Sequence, residues 1–464
     1  MRSTGVDYRG MNGLGPAESG AKPCFFVTRG ANRIAAKRKS RKEEGGMGSV
    51  TFRVAVLFAL ASMAAFGCGK TEERGKAPSG GTPATTETGA EKTAAQPEKG
   101  AKPAERGAKE KAPAGAIRVK VGVVLPLNGE NATFGVETEN GINLAVTDIK
   151  AEGKTWPEMI TVDNGGSPTQ TASAVKRFID SDKVSVILGP VTSNEAIAAG
   201  DQAEAGMVPL VTPTATNVMV TVNKKYVFRV CYTDDVQGPM AANFAYDTLK
   251  ARRAAVLVNS SESYSMGLGD AFVKRFKERG GEIVSQMSFT KDTDDFGAQI
   301  SQLRLKSPDA IFLPAYYEAT AKCISQARAA GLRSTFVGTD GWDSPNLYTL
   351  SAGAVKGNYF TTHFSPQEDR TAVKRFVQNY RAAYNEEPGA LAALGYDAAM
   401  VVFAAVERAG SSDREAITKA IAETRDFDGV TGKITIDANH NAVKNLVILE
   451  TGEKSASLKT VVSP

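Results

Sequence analysis

Residues 184–217 read VSVILGPVTSNEAIAAGDQAEAGMVPLVTPTATN and predict, in order, a strand, a loop, a helix, a strand and a loop. Residues 184–188 are apolar and mostly β-branched, as in a buried parallel strand. Thr192 and Glu195 have the spacing of a helix capping box. Gly206 is expected to end the helix as a C-cap glycine. The stretch therefore predicts one unit of a layered α/β fold.

Hydroxyl side chains follow both predicted strands of this unit. In an open α/β sheet, ligands bind outside the carboxyl ends of the strands. The helix that begins after Thr192 adds free backbone N–H groups and a dipole that favour an anion. Because Thr192 caps the helix, the hydroxyl of Ser193 is free to point outward. We expect a carboxylate-sized anion to be held by Ser193, Thr214, Thr216 and neighbouring amides; alternatively, these residues only cap and turn the chain.

Composition sets limits on the class of protein. The chain has 464 residues, 42% of them hydrophobic and 23% charged, which predicts a globular core with more than one lobe. The net charge of +5 comes largely from the N-terminal region, and no basic stripe carries interleaved aromatic residues, so nucleic-acid binding has little support. The four cysteines are far apart and only two histidines are present, which argues against a His/Cys metal site. We expect Cys231 and Cys323 to be buried, reduced thiols.

The N-terminal quarter of the chain differs from the rest. Residues 1–46 are rich in Gly, Ser, Arg and Lys and are predicted to be a non-native or disordered extension, with Met47 as an alternative start. Residues 47–67 combine an arginine near the front with a short hydrophobic run and small residues, which is the layout of a secretory signal peptide. Residues 68–116 carry almost no bulky apolar side chain, so we expect a disordered tether.

From residue 117 onward, apolar runs of strand length alternate with helical patterns. This alternation predicts an α/β protein with two Rossmann-like lobes, a multi-strand hinge and a ligand cleft between the lobes. The first lobe is predicted to comprise residues 117–235 and 363–428. The second lobe is predicted to comprise residues 236–362 and 429–464.

Six short motifs follow one another in this part of the chain. They are VGVVLPLNG with a following FG (121–129 and 134–135), GPVTS (189–193), TPTAT (212–216), YSMG (264–267), QARAAG (326–331) and GTDG (338–341). Together, and in this order, they resemble the leucine/isoleucine/valine-binding proteins of ABC importers, which have the type I periplasmic-binding fold. The resemblance extends from about residue 117 to the C terminus.

The resemblance implies a role for each polar residue of the predicted cleft. Ser193 and Thr216 match positions that hold the ligand α-carboxylate, and Thr214 matches one that offers its backbone carbonyl to the α-ammonium. Asp340 stands where the family places an acid, often Glu, against that ammonium. An amino-acid zwitterion needs such a donor cluster and such an acid, because charge-assisted hydrogen bonds are the strong ones. For Asp340, the alternative is an Asx turn with Gly341.

Four aromatic residues complete the predicted site. Tyr264 and Tyr316 match cleft tyrosines from the second lobe, and Phe134 matches an aromatic residue that flanks the ligand side chain; packing in the wall is the alternative for all three. Trp342 departs from the family pattern. It either reshapes the side-chain pocket toward a flat, aromatic or short ligand, or packs against the hinge.

A separate resemblance concerns the end of the predicted signal peptide. Residues 65–68, AFGC, resemble the lipobox of bacterial lipoproteins, in which the cysteine is lipidated and becomes the N terminus. Its first and second positions, Ala65 and Phe66, depart from the usual residues. The resemblance implies that Cys68 is lipidated and holds the protein at a membrane; an unmodified cysteine is the alternative.

The expected function is that of an extracytoplasmic receptor in the cell envelope. It would be a monomer that binds a branched-chain or related amino acid, without cofactor or metal, and delivers it to the permease of an ABC importer. A lipoprotein that senses a ligand and signals to a membrane partner is the alternative. An enzyme is disfavoured, because the sequence contains no Gly-x-Ser-x-Gly elbow, no P-loop and no Gly-x-Gly-x-x-Gly after the first predicted strand.

Overall fold

The computed structural model describes residues 119–463. The predicted extension (1–46), signal peptide (47–67) and tether (68–116), with the lipidation of Cys68, lie outside the described residues. The strands are β1 (Lys120–Leu125), β2 (Glu158–Asp163), β3 (Val186–Leu188), β4 (Leu210–Thr212), β5 (Val227–Arg229), β6 (Arg253–Asn259), β7 (Glu282–Phe289), β8 (Ala310–Phe312), β9 (Thr335–Gly338), β10 (Tyr359–Thr362), β11 (Phe427–Gly429), β12 (Gly432–Ile436), β13 (Ala442–Val443), β14 (Leu446–Thr451) and β15 (Ala456–Val462). The α-helices are α1 (Ala132–Ala151), α2 (Pro168–Arg177), α3 (Ser193–Ala205), α4 (Asp234–Asn243), α5 (Ser263–Glu278), α6 (Gly297–Lys306), α7 (Tyr317–Ala329), α8 (Pro345–Ser351), α9 (Thr371–Tyr384), α10 (Ala390–Ala409) and α11 (Arg414–Ala422).

Two large sheets organise the described part of the chain. The first is entirely parallel and has the order β2-β1-β3-β4-β5. The second has the order β15-β14-β10-β9-β8-β6-β7, and it is parallel except where β14 pairs antiparallel with β10 and β15. Parallel neighbours require helical crossovers, so helices cover the sheets. This confirms the predicted α/β class with two Rossmann-like layers, which we call the first and second lobes.

The chain passes between the lobes in three segments of the described part. One joins β5 to α4, the second joins β10 to α9, and the third joins β13 to β14. The small sheet β11-β12-β13 adjoins α10, where the buried Asp397 carboxylate accepts hydrogen bonds from the N–H groups of Val430 and Thr431 at 2.7 and 2.8 Å. The predicted residue boundaries of the lobes remain predictions.

Helices α1 and α10 form the main helical contact of the first lobe. A Cβ atom built on Gly141 would overlap the backbone carbonyl of Ala392, and one on Gly395 would overlap the carbonyl of Thr138. The two backbones therefore approach each other at glycine positions where no side chain fits. Helix α10 is apolar enough to cross a bilayer, but 78% of its most apolar window is buried inside the protein, as expected of a core helix.

Helix α3 begins with the predicted capping box between Thr192 and Glu195. It ends at Gly206 as predicted, but Gly206 has a φ of −89°, and the neighbouring Met207 adopts the left-handed conformation with a φ of 51°. A Cβ atom on Gly206 would lie 2.7 Å from Cδ1 of Ile179. Close packing, rather than a left-handed turn, is therefore the reason for this glycine.

Cys231 and Cys323 are buried and free, which confirms the prediction for these two residues. Burial raises the pKa of each thiol to about 12. Because the thiolate is the reactive form, both side chains are inert near neutral pH.

We predict that Gly141→Ala lowers the free energy of unfolding by about 1–3 kcal/mol, the usual range for overpacking. The added methyl group meets backbone atoms of α10 that cannot rotate away, and this outweighs the better helix propensity of alanine. Denaturant unfolding measures the change. Asn143→Ala is the control, because Asn143 lies exposed in the same helix; equal stability of both variants would contradict the prediction.

Candidate functional site

A cleft between the lobes brings together seven of the eight predicted site residues. Its empty volume is about 300 Å³, part of which is open to solvent. The lining residues are Phe134, Val191, Thr192, Ser193, Thr214, Thr216, Tyr264, Tyr316, Asp340, Gly341 and Leu391. Trp342 is the predicted residue that is absent from this lining.

The first lobe contributes a group of hydroxyls and amides at the N terminus of α3. The Ser193 hydroxyl oxygen accepts a hydrogen bond from the N–H of Asn217 at 3.2 Å, and the Thr214 hydroxyl donates to the carbonyl of Val191 at 2.6 Å. These bonds fix the loops after β3 and β4 against each other. The Thr216 side chain lines the cleft and also lies next to the buried Asp234 carboxyl group. Thus the Thr214 hydroxyl ties the chain together, while the Thr216 hydroxyl lies between the cleft and Asp234.

Two buried residues, Arg229 and Asp234, support this loop, and sequence reasoning missed both. The Arg229 guanidinium donates to the carbonyl of Ala215 at 2.8 Å, between the two site threonines. The N–H of Asp234 donates to the carbonyl of Thr216 at 3.0 Å. Burial raises the pKa of the Asp234 carboxyl group well above its usual value. An arginine within the apolar run at β5 was the signal that could have revealed this support.

The second lobe contributes the acid. One oxygen of Asp340, Oδ1, accepts hydrogen bonds from the Tyr264 hydroxyl at 2.8 Å and from Nε2 of Gln237 at 3.0 Å. The other oxygen, Oδ2, lies 3.2 Å from Nε2 of His363. Burial, and then the charge of Asp340, raise the pKa of Tyr264 well above its usual value, so this hydroxyl stays protonated and donates. Sequence reasoning identified Asp340 but missed Gln237 and His363.

The proposed Asx turn at Asp340 is not formed. The N–H of Gly341 donates to the Tyr264 hydroxyl at 2.8 Å, and the N–H of Trp342 donates to the backbone carbonyl of Thr339. The Asp340 carboxylate is therefore directed to side chains of the second lobe rather than to its own backbone.

Aromatic and aliphatic side chains form the remaining wall of the cleft. The rings of Tyr264 and Tyr316 stack at a centroid distance of 5.0 Å, and Phe134 meets Tyr316 edge-on at 5.8 Å. Tyr264 lies in the first turn of α5. Leu391, near the start of α10, adds an apolar contact that the sequence pattern did not reveal.

Trp342 lies in the core of the second lobe. Its side chain is fully buried, its indole N–H donates to the carbonyl of Leu313 at 3.0 Å, and its ring leaves no room for a side chain at Gly338. The ring also contacts Phe360 at a centroid distance of 6.2 Å. The structure thus favours packing over direct shaping of the cleft.

Hydrogen bonds join the lobes across the mouth of the cleft. In the first lobe, Asn194 donates to the Glu262 carboxylate at 2.8 Å and accepts from the Ser263 hydroxyl at 2.6 Å, both in the second lobe. Asn217 donates to the carbonyl of Ser263 at 2.8 Å. The described structure is therefore a closed arrangement, in which the groups of both lobes face one enclosed space.

Two glutamates at this mouth are difficult to ionise. Burial raises the pKa of Glu195 to about 7, although the hydrogen bond from the backbone N–H of Thr192 opposes this shift. The pKa of Glu262 also rises to about 7, mainly through burial and then through the charges of Glu130 and Glu195. Near neutral pH, the region around the α3 N terminus therefore carries less negative charge than its acidic residues would indicate. Within the described range, no group of three or more His, Cys, Asp or Glu side chains is placed to hold a metal.

The two lobes and their shared cleft define a two-lobed α/β binding protein. The sequence profile of the periplasmic binding protein family matches residues 118–456, and the chain belongs to this family. This family consists of extracytoplasmic solute receptors, and the finding confirms the predicted type I periplasmic-binding fold.

Several relatives share most of the chain. A Leu/Ile/Val-binding protein of Rhizobium johnstonii is 28% identical over 329 residues, which cover 70% of this chain and 89% of the relative. The crystal structure of the leucine-binding protein LivK of Thermotoga maritima is similar with a TM-score of 0.72 and 39% identity, covering 75% of this chain and 99% of that one. The LivJ protein of Streptococcus pneumoniae, solved in complex with isoleucine, is similar with a TM-score of 0.71 and 32% identity, covering 75% and 100%.

We predict that Glu195→Gln makes the protein less sensitive to alkaline pH. The folded-state pKa of Glu195, about 7, exceeds its ordinary value of 4.5. The neutral acid therefore contributes stability that is present below pH 4.5 and lost as the pH rises through 7. At about 1.4 kcal/mol per pKa unit, this loss approaches about 3 kcal/mol. Glutamine keeps the capping box and cannot ionise.

Denaturant unfolding at pH 5 and pH 8.5 measures this effect. The stability of Glu195→Gln relative to the wild type should increase by about 2–3 kcal/mol between the two pH values. The same difference at both values would show that Glu195 ionises normally in the folded protein.

Proposed function

We propose that this protein is the receptor of an amino-acid importer and binds a branched-chain or related α-amino acid in the closed cleft. The observation that carries the proposal is the placement of opposite partners in one enclosed space. Ser193, Thr216 and the α3 N terminus form an anion cradle in the first lobe, and the Asp340 carboxylate belongs to the second lobe. A zwitterion satisfies both, because its carboxylate and its ammonium are joined through a single carbon atom.

The cradle suits a carboxylate for two physical reasons. The N terminus of α3 presents backbone N–H groups and the positive end of a helix dipole. The Thr216 hydroxyl, which lines the cleft, supplies a further donor. Hydrogen bonds to charged groups in a dry site are stronger than those between neutral groups.

The Asp340 carboxylate suits an ammonium group because the negative charge of this carboxylate is not neutralised by a basic side chain. Its hydrogen-bond partners are the Tyr264 hydroxyl, the Gln237 amide and His363. Burial lowers the pKa of His363 to about 4, so this ring is uncharged near neutral pH. The negative charge of Asp340 is therefore left for a cationic group of the ligand.

The rest of the cleft suits an apolar side chain. Phe134, Val191, Leu391 and the ring of Tyr316 supply apolar surface, and no charged side chain other than Asp340 lines the cleft in the described part. The LivJ protein of Streptococcus pneumoniae, 32% identical to this chain, holds isoleucine. Both points support an aliphatic amino acid as ligand.

The proposal extends to partners and location. Hinge closure on the ligand joins surfaces of both lobes, and we propose that this closed form, as a monomer, docks on the permease of an ABC importer. We further propose that a lipid on Cys68 holds the receptor at the membrane, and that the protein returns the ligand chemically unchanged.

We predict that Asp340→Asn weakens the binding of leucine, isoleucine and valine by about 2–5 kcal/mol, the cost of removing one partner of a buried charge pair. Ser193→Ala should weaken binding by about 1.5–3 kcal/mol, the range for hydrogen bonds to charged groups. Isothermal titration calorimetry measures both. Asp270→Asn, an exposed residue of α5, is the control with unchanged affinity. Full affinity in Asp340→Asn would remove this acid from the site.

We predict that mass spectrometry of the membrane fraction finds an acylated Cys68 at the N terminus of the mature chain. Cys68→Ser should release the protein from the membrane fraction, because a serine cannot form the thioether. A wild-type protein in the membrane fraction that retains Met1 or Met47 would contradict lipidation.

A further inference from the structure

His363 holds a central place in the hinge. It is the first residue after β10, in the segment that crosses to α9. Its ring stacks on Tyr232, in the segment between β5 and α4, at a centroid distance of 3.7 Å. The side chain is 1% exposed. The imidazole is thus fixed between two of the chain crossings and the acid of the cleft.

The hydrogen bonds of Asp340 are divided between its two oxygens. Oδ1 accepts from Tyr264 and Gln237, whereas His363 is the sole partner of Oδ2 among the residues that the structure describes. Two donors on Oδ1 hold only that oxygen, and Oδ2 would have no donor without His363. A donor on the second oxygen further fixes the plane of the carboxylate, and with it the direction of the remaining lone pairs.

The geometry also selects the tautomer of His363. If Nδ1 carried the proton, a lone pair of Nε2 would face the Asp340 carboxylate at 3.2 Å. The Nδ1–H would then be a buried donor, and Nδ1 has no partner in the described part of the chain. The tautomer protonated at Nε2 avoids both costs and donates to Asp340.

The charge of the ring matters as much as its direction. The ionisable groups near His363 are Asp340, Lys444 in the segment between β13 and β14, and the stacked Tyr232. Glu368, Arg370, Asp428 and Lys433 line the same second cavity as His363. Burial lowers the pKa of His363 to about 4, and the positive charge of Lys444 contributes to this lowering. The hydrogen bond and the negative charge of Asp340 act in the opposite direction. A lysine or arginine at this position would compete with a ligand cation for Asp340, whereas an uncharged N–H does not.

We propose that His363 is a positioning residue, which orients the Asp340 carboxylate through an uncharged N–H and leaves the negative charge of that carboxylate to the ligand. This inference rests on the proposed function, in which Asp340 binds the ammonium group of an amino acid. It adds a residue outside the cleft lining whose hydrogen bond determines how well the acid binds.

Three substitutions at His363 test the proposal, with leucine, isoleucine and valine as probes in calorimetry. His363→Leu removes the donor and should weaken binding by at least about tenfold, the lower limit for a hydrogen bond to a charged group. His363→Gln supplies an uncharged N–H and should restore affinity to within a few-fold of the wild type. His363→Lys supplies a competing cation and should bind more weakly than His363→Gln.

His440 provides a matched control, since it is the other histidine of the chain and stacks on Phe228 at a centroid distance of 4.1 Å. His440→Gln should bind as the wild type does. Wild-type affinity in His363→Leu would overturn the proposal, and so would a His363→Gln variant as weak as His363→Leu.

A second measurement leaves His363 unchanged and needs no ligand. In His440→Gln, the remaining imidazole gives the single histidine signal in a nitrogen-15 NMR spectrum. We expect a neutral ring protonated at Nε2, which titrates well below the ordinary pKa of 6.5. A ring protonated at Nδ1, or one that titrates at the ordinary value, would overturn the proposal.

The Asp340→Asn variant separates this inference from the proposed function. If Asp340→Asn loses affinity and His363→Leu does not, the amino-acid site stands and the role of His363 is wrong. If Asp340→Asn binds as tightly as the wild type, the proposed role of Asp340 fails, and the positioning role of His363 fails with it.

Discussion

A carboxylate enclosed between two lobes is the constraint on which the rest of the site depends. A charge removed from water is costly unless it is hydrogen-bonded or paired. In the described structure, Asp340 is surrounded by the Tyr264 hydroxyl, the Gln237 amide and His363, which bind it without neutralising it. In the proposed function, a cationic group of the ligand meets an acid that these three side chains already hold.

The first lobe presents the complementary charge by a different means. Its cradle contains no basic side chain in the cleft lining and relies on the N terminus of α3 and on threonine and serine groups. Such groups are fixed by the backbone, so their position depends on the loops after β3 and β4. Arg229, buried below these loops, holds the carbonyl of Ala215. The two lobes are joined by polar contacts at the mouth of the cleft, where Asn194 bonds to Glu262 and Ser263. In the same region, the raised pKa values of Glu195 and Glu262 make both side chains difficult to ionise.

Sequence reasoning worked best where local pattern and local structure coincide. The capping box at Thr192 and Glu195 formed as predicted, because its partners lie three residues apart. Helix α5 begins at Ser263 although residues 259–267 contain four serines, and packing against the second sheet, rather than propensity, accounts for its start. Gly206 ends α3 as predicted, but the left-handed conformation expected of a C-cap glycine occurs at its neighbour Met207. Gly206 is needed instead because it packs closely against Ile179, and this contact cannot be read from the sequence.

By itself, the sequence determined the α/β class and seven residues that line one cleft, because strand ends, helix starts and short motifs are local features. Only the tertiary structure decided that Trp342 belongs to the core, and that Gln237 and His363 bind Asp340. These contacts join residues that are 103 and 23 positions apart. Their proximity is a consequence of how the sheets stack and where the chain crosses between the lobes, and no periodicity within a segment contains that information.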